Sequence, residues 1–375
     1  MMRTFQFRLR PNATQRAMLE RILVDNAETY NACLQERIEA WKLQRKSITY
    51  RDQQDELTEL RKDERFQWLA CDIQRDPLRR VDRAFKAFFR RVKAKSGKAG
   101  FPRFRARARY DSFAFSLPVC RERSIKIPNV GDIRARGGRS ITGREKLCTI
   151  KRDGNRWTAS VVCDIGPAPE KVTVSTAVGI DVGLTTLATL SNGVEIENPR
   201  WTRKHERRIA DAGRVLARKQ KRSNNRTRAR QALRRAHQCA ANARLNYIHH
   251  VSKWLISTFD LIVHEKLNIH GMSQGRLAKS IMDAAWGILL YQLKYKAEEA
   301  GVWVVPVNPR GTSQRCSNCG EVVKKTLSQR VHSCPNCGLE LGRDHNAARN
   351  ILSLGMSDAG ASLQNLALLP SGGLK

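Results

Sequence analysis

Two sets of side chains in this 375-residue sequence could do chemistry, the first by type and spacing, the second by type and place in the chain. The first is Cys316-Ser317-Asn318-Cys319-Gly320 together with Cys334-Pro335-Asn336-Cys337-Gly338. Thiolates at i and i+3 span one edge of a tetrahedral metal, and a glycine after each pair lets the chain turn tightly. A second pair completes a four-cysteine shell of the kind that holds structural Zn2+. In so small a segment, metal binding contributes roughly 10–16 kcal/mol of folding free energy. Two disulfides are the competing reading, disfavoured in a reducing compartment. His332 lies near enough in sequence to compete as a ligand, but four cysteines already fill the shell. A closed shell leaves no position for substrate or water, so catalysis must sit elsewhere.

The second set is Asp181, Glu265 and Asp344. Asp181 follows Gly179-Ile180 at a strand that turns at Gly183, and Glu265 ends the apolar run Leu261-Ile262-Val263-His264. Asp344 precedes a helix whose apolar positions include Ala347, Ala348, Ile351 and Leu352. Singly, each is an ordinary strand-end or helix-cap acid with a structural duty. Brought together, they would repel one another unless bound to cations, and their oxygens suit Mg2+ or Mn2+. Two such ions about 3.5–4 Å apart activate water and stabilise the leaving oxygen of a phosphodiester.

Charge supports phosphate as the target. Lys and Arg number 69 against 35 Asp and Glu, a formal charge of +34 with a pI near 10.5. That excess implies a polyanionic partner, since each neutralised phosphate releases counterions; a ribosomal or packaging protein is the bland alternative. No run of about 18 apolar residues is present, which excludes a membrane-spanning helix. The N-terminal Met1-Met2-Arg3-Thr4-Phe5-Gln6 has no signal-peptide character, so an intracellular location is expected. Cys33, Cys71, Cys120, Cys148, Cys163 and Cys239 are dispersed, and most are expected to be buried thiols.

The elements that must position the acids follow from periodicity. Phe5, Phe7 and Leu9 alternate in a short strand ending at Pro11; Asn12 can cap a helix carrying Met18, Leu19, Ile22, Leu23, Tyr30, Leu34, Ile38 and Trp41. Helical spacing resumes over Leu57, Leu60 and Val81–Val92. The stretch Lys93–Phe104 is basic and aromatic, and Arg105, Arg107 and Arg109 alternate as in a strand with one basic face. Short alternating runs from Phe113 to Val174 suggest a β-barrel or sandwich closed by the first strand. A second domain opens near Val178, with a hairpin stopped by Asn192-Gly193. A very basic helical tract over residues 203–238 should break near Ser223-Asn224-Asn225, and its density of arginine favours phosphate contact over a merely solvated face. A helix is expected from Asp283 to Ala300 and a strand over Val302–Val307. The tail beyond Ser357 is expected to be mobile.

Asp181-Val182-Gly183-Leu184, Glu265-Lys266-Leu267-Asn268, and the four-cysteine segment followed by Arg343-Asp344-His345-Asn346-Ala347-Ala348 resemble the transposon-encoded TnpB proteins, relatives of compact type V CRISPR effectors. So do Lys279–Gly287, Thr312-Ser313-Gln314-Arg315-Cys316, the Gly-Phe-Pro-Arg-Phe block at 100–104, and the opening strand. The resemblance implies an α/β multidomain protein. Residues 1–11 and 100–176 would form a wedge-type β-barrel interrupted by a helical recognition domain at 12–99. Residues 177–311 and 339–357 would form an RNase-H-like (RuvC) nuclease domain around a zinc module at 312–338, leaving 358–375 as a tail. It implies Asp181, Glu265 and Asp344 as catalytic ligands of Mg2+ or Mn2+, with Cys316, Cys319, Cys334 and Cys337 on structural Zn2+. It further implies a guide RNA from a transposon end, double-stranded target DNA cut beside a short flanking motif, no membrane, and a prokaryotic cytoplasm. Arg315 and Arg343 are candidates to contact the scissile strand. Gly342 and Lys266 stand where similar proteins often carry acids. A guide-dependent DNA-binding regulator without cleavage, and a zinc-stabilised structural RNA-binding protein, are the alternatives.

Overall fold

The computed structural model describes residues 1–94, 99–137, 140–154, 156–326 and 329–358. Part of the basic stretch after Lys93, and residues 359–375 of the tail expected over 358–375, lie outside them, while Asp358 ends the last described helix. The chain divides into two compact units, Met1–Pro167 and Ala168–Lys375.

In the first unit, β1 (Met2–Arg10) stops at Pro11, and Asn12 caps α1 (Ala13–Gln44). The Asn12 side chain accepts from the Gln15 amide at 2.8 Å, while Gln15 Oε1 accepts from the Asn12 amide at 3.1 Å. This reciprocal box satisfies two donors that a helix start otherwise orphans. Leu19, Ile22, Leu23, Tyr30 and Leu34 of α1 are buried with Phe5 and Leu9 of β1, whereas Trp41 is exposed. Helices α2 (Tyr50–Leu60), α3 (Glu64–Gln67) and α4 (Cys71–Lys93) follow. Then come β2 (Ser112–Ser116), β3 (Val119–Cys120), β4 (Ser124–Ile127), β5 (Gly131–Arg136), β6 (Arg144–Asp153) and β7 (Arg156–Asp164).

These strands make one sheet of order β2-β6-β7-β1-β5-β4-β3. The expected wedge-type barrel is therefore corrected: among the described residues the sheet is open, β2 pairing with β6 and β3 with β4 but not with each other. The physical reason is at the edges. β3 is two residues long, and the link from β2 passes through Leu117, at φ 48°, and Pro118, which has no amide to donate. The expected strand at Arg105–Arg109 is also absent. Asn31 holds both the amide and the carbonyl of Arg105, and residues Arg107–Arg109 form a single 3-10 turn.

The second unit begins with the antiparallel meander β8 (Ala177–Val182), β9 (Thr186–Leu190) and β10 (Glu195–Glu197). Gly193, at φ 87°, makes the turn between the last two. Three helices follow, α5 (Trp201–Lys204), α6 (Glu206–Ala217) and α7 (Asn224–Thr258), the last capped by Ser223 at the expected break. Strand β11 (Leu261–Glu265) then runs parallel to β8. After α8 (Ile269–Met272) and α9 (Ala278–Ala284), the helix expected from Asp283 to Ala300 is α10 (Trp286–Ala300), its start set three residues later by Ala285 at φ 57°. The break serves two anchors: Asp283 accepts from Thr202, and the Trp286 indole donates to Gly183 O at 3.1 Å. Strand β12 (Trp303–Val307) is parallel to β11, β13 (Val331–Ser333) and β14 (Glu340–Gly342) form a hairpin, and α11 (Arg343–Asp358) closes the described chain.

The five-stranded order is β10-β9-β8-β11-β12, with helices against both faces. Val178, Ile180 and Ile262 pack toward α7 and α10, while Leu261, Val263 and Val307 pack with Ile351 of α11. Helix α11 lies unusually close to the sheet. A Cβ on Gly179 would sit 2.1 Å from Ala348 O and 2.7 Å from the Leu352 amide; one on Gly355 would sit 2.3 Å from Val263 Cγ1. Gly179→Ala should thus lower stability by about 3 kcal/mol through overpacking. Gly213→Ala, inside α6 where the added Cβ meets nothing within 4 Å, should be neutral or stabilising by up to ~1 kcal/mol. Thermal unfolding of the two variants distinguishes close packing from a general intolerance of alanine.

Candidate functional site

Two-residue alternation decides which side chains share a face. In β8, Val178 and Ile180 face α7 and α10, so Gly179 and Asp181 face α11. In β11, Leu261 and Val263 face α11, which directs Glu265 to the same side. The two strands are parallel, with His264 beside Ile180, so both acids stand at the same, carboxyl-terminal, end of the sheet. Asp344 lies in the first turn of α11, the helix covering that face. The fold thus brings together three acids far apart in sequence.

Electrostatics records their proximity. The Asp181 carboxyl is pushed up to about 8, first by burial and then by the negative charges of Glu265 and Asp344; Arg343 opposes the shift. Burial also raises Glu265, against a hydrogen bond from Thr312. Asp344 is 3.2 Å from Arg343 Nε and 4.0 Å from Arg330 Nη1. Asp181 has no ion pair among the described residues. Hard oxygen donors, half-buried and mutually repelling, fit a divalent cation of the Mg2+ or Mn2+ type. Their ligand atoms do not all lie within 4.8 Å of one another: among the described residues, only the cysteines bring three or more ligand atoms that close.

The four cysteines meet that test fully. Cys316 and Cys337 Sγ are 3.6 Å apart and Cys319 and Cys334 Sγ 3.5 Å, near the edge of about 3.8 Å that Zn–S bonds of ~2.3 Å require. The two knuckles repeat one another. Gly320 donates to Cys316 O and Gly338 to Cys334 O, both at 3.0 Å, while Cys316 and Cys334 donate to the carbonyls of Glu321 and Leu339. Both glycines have positive φ, 80° and 70°, a conformation costly for a side chain. The Asn318 side chain and the Leu339 backbone lower the Cys337 thiol to about 6, favouring the ligating thiolate. His332 is fully buried but outside the four-ligand group, its Nδ1 against Lys325 Nζ. A structural zinc site is the fit.

Three polar residues join the knuckles to the acids, and none had a role legible from spacing. Asn346 Nδ2 donates to Arg315 O at 2.8 Å, and its Oδ1 accepts from Ser317 N at 2.9 Å. One helical turn on, Asn350 Nδ2 donates to Thr312 O and Arg315 O at 2.8 and 2.7 Å. Thr312 Oγ1 in turn lies 2.6 Å from Glu265 Oε1 and 3.1 Å from Pro309 O. The available signal was two carboxamides at i and i+4 on the stripe of α11 that also buries Ala347 and Ile351. Arg315, a candidate for strand contact, is exposed; Arg343 is half-buried beside Asp344. Many of the arginines of α6 and α7 are exposed, including Arg207, Arg208, Arg228, Arg230 and Arg235.

Residues 286–351 match the family described as "Cas12f1-like, TNB domain", residues 160–276 that described as "Probable transposase", and residues 1–46 that described as "Helix-turn-helix domain". In this chain the last of these is one strand and a single 32-residue helix, with no turn between helices. The chain is similar to the "Putative RNA-guided DNA endonuclease InsQ" of Escherichia coli (strain K12), at 32% identity over 94% of this chain and 92% of that protein. It is similar to a "Putative RNA-guided DNA endonuclease" of Streptomyces pristinaespiralis, at 33% identity over 95% and 90%. Its fold is similar to that in a Cas12f1–sgRNA–target DNA complex, with a TM-score of 0.56 at 13% identity over 90% of this chain and 82% of that one. No helix among the described residues is long and apolar enough to cross a membrane.

The Asp181 shift has a consequence for stability without added divalent metal. Its folded-state value, about 8, lies above the unfolded value of about 3.9. The contribution is therefore fully present below pH ~4 and lost as pH rises through about 8. Zinc-loaded protein without Mg2+ or Mn2+ should lose thermal stability across that window. Asp181→Asn should flatten the loss, by on the order of a few kcal/mol at the alkaline end. Added Mn2+ should stabilise the native chain more than Asp181→Asn in parallel melts.

Proposed function

Since the chain belongs to the TnpB and Cas12f1-like family of RNA-guided nucleases, we propose that it cleaves target DNA beside a short flanking motif, directed by a transposon-derived guide RNA. The observation that carries the active-site assignment is the convergence of Asp181 and Glu265, at the ends of parallel β8 and β11, under Asp344 of α11, with their charges acting on one another. In this reading the three carboxylates are the catalytic residues and hold Mg2+ or Mn2+. Such ions, when bound, generate a nucleophile from water and stabilise the leaving oxygen of the phosphodiester.

The chain's own groups do the rest. Asp181, on the sheet, and Asp344, on the covering helix, approach the site from different elements, so their separation is fixed by how α11 packs. Glu265 has Oε1 engaged by Thr312, which leaves Oε2 for a cation. Arg343 holds Asp344 at 3.2 Å and limits the rotation of its carboxylate. The exposed arginines of α6 and α7 supply sequence-independent attraction for the nucleic-acid backbone, while base pairing with the guide selects the sequence. Within this assignment residues 12–99 act as the recognition helices, 177–311 and 339–357 as the RuvC-like nuclease, and 312–338 as its zinc module. Lys266 is exposed and its amide is bonded to Val307 O at 2.8 Å, so its charge lies off the acid-bearing face.

Cleavage of a guide-matched DNA should require the RNA carried by the protein and either Mg2+ or Mn2+. Asp181→Ala, Glu265→Ala and Asp344→Ala should each reduce cleavage to background while leaving RNA-dependent DNA binding intact. RNA from the purified complex supplies the guide, and a library randomised beside the target supplies the flanking motif. Full cleavage by Asp181→Ala, with contaminating nuclease excluded, removes the assignment. Target binding without product at saturating Mn2+ identifies a cleavage-deficient binder instead.

A further inference from the structure

We propose that Thr312 is a positioning residue for Glu265, and that through it the four-cysteine module sets the metal affinity of the three-acid site. This rests on the reading of Asp181, Glu265 and Asp344 as divalent-metal ligands. It adds a residue and a dependence which that reading does not contain.

Thr312 is 4% exposed, so its hydroxyl has little water to choose instead of protein. Its two acceptors within reach are Glu265 Oε1 at 2.6 Å and Pro309 O at 3.1 Å. A hydroxyl has one proton to donate, and the shorter, charge-assisted bond to a carboxylate is the stronger. That bond fixes one oxygen of Glu265 and restricts the carboxylate plane, so the ligand meets a cation with less rotational freedom to lose.

Thr312 is itself fixed from the knuckle side. Its carbonyl and that of Arg315 are both held by Asn350 Nδ2, and Arg315 O also accepts from Asn346, whose Oδ1 takes the Ser317 amide. Cys316 sits between the last two anchor points, so the first thiolate of the four and the threonine on Glu265 belong to one clamped segment of five residues, 312–316. Asn346 and Asn350 project from α11, the helix that carries Asp344 in its first turn. One network therefore ties the knuckle to two of the three acids. A purely local duty for Thr312, closing the turn at Pro309, would leave the acids indifferent to it.

The test is Mn2+ binding to zinc-loaded, full-length protein, followed by electron paramagnetic resonance titration alongside zinc content and thermal unfolding. Thr312→Val keeps the shape and deletes the donor; it should weaken Mn2+ binding about tenfold, as expected for a lost hydrogen bond to a charged group. Thr312→Ser, which keeps the donor, should bind within about twofold of the native chain. In cleavage assays Thr312→Val should shift the Mn2+ dependence and recover most of its rate at saturating Mn2+. Cys319→Ser should weaken Mn2+ binding in the native background and add little in the Thr312→Val background, since both act through one path. Native-like Mn2+ affinity in Thr312→Val, or equal weakening by Cys319→Ser in both backgrounds, overturns the proposal. If Cys319→Ser does not fold, Asn350→Ala takes its place in the cycle with the same expectation. The underlying reading fails separately, if Asp181→Asn and Glu265→Gln bind Mn2+ as tightly as the native chain.

Discussion

Everything at the acid site depends on how closely α11 can lie on the sheet. Asp344 is carried by the helix, while Asp181 and Glu265 are carried by β8 and β11, so the gap between carboxylates is a helix-to-sheet distance. Two positions set it. Gly179 faces the Ala348 carbonyl and Gly355 faces the Val263 side chain, and at neither is there room for a Cβ. Apolar burial drives the helix down, through Ala347, Ala348 and Ile351 against Leu261, Val263 and Val307. The glycines determine where it stops. A core packed this densely responds to a single added methyl by moving the whole helix, and here that displacement would separate the acids.

The same packing concentrates negative charge, and folding must oppose that cost. Asp181 carries the largest burden, its carboxyl raised to about 8 by burial and by its two neighbours. Other parts of the unit relieve only part of it: Arg343 and Arg330 lie nearest Asp344, and Thr312 donates to Glu265. No cation pairs with Asp181 among the described residues. Meanwhile the chain as a whole has a net charge of +34. The two scales do not conflict. In the proposed reading, exposed arginines would attract phosphate over a Debye length of roughly 8–10 Å, whereas the acids would act at contact, where a bound divalent ion would neutralise them.

How much was legible beforehand follows from the range of each interaction. The two cysteine knuckles were readable because ligand spacing and the trailing glycines are local requirements, and the structure brings all four sulfurs within 4.8 Å. The Asn12 cap and the break before α7 were readable for the same reason. The acids were individually ordinary; taken together they made a candidate cation set, which the resemblance to a family sharpened, and the alternation along β8 and β11 then explains their shared face. The failures are of longer range. Closure of the first sheet required pairing of β2 with β3, which the short β3 and Pro118 prevent. Arg105–Arg109 has strand-like alternation, but Asn31, from α1, captures the Arg105 backbone. The helix expected from Asp283 starts at Trp286 instead, after Ala285 at φ 57°; the partners of Asp283 and Trp286 on either side, Thr202 of α5 and Gly183 O, are distant in sequence.

The position of the cysteine segment between β12 and α11 has a physical logic of its own. From Cys316 to Gly342 the described residues bury only Cys316, His332 and Cys334. That is too little apolar surface to offset the conformational entropy of ordering the segment, at about 1–2 kcal/mol per residue for the backbone alone. Metal coordination is the one interaction in reach of the right size, roughly 10–16 kcal/mol for a structural zinc site. Without it, the segment joining β12 to α11 would behave as a long loop, and the start of α11 would lose the fixed backbone that Asn346 and Asn350 now grip. Those carboxamides are buried on an otherwise apolar stripe, a costly placement unless their partners stay put. Zinc held by the four cysteines would thus stabilise more than its own knuckles: it would keep those buried polar groups satisfied, and with them the end of the helix on which Asp344 rides.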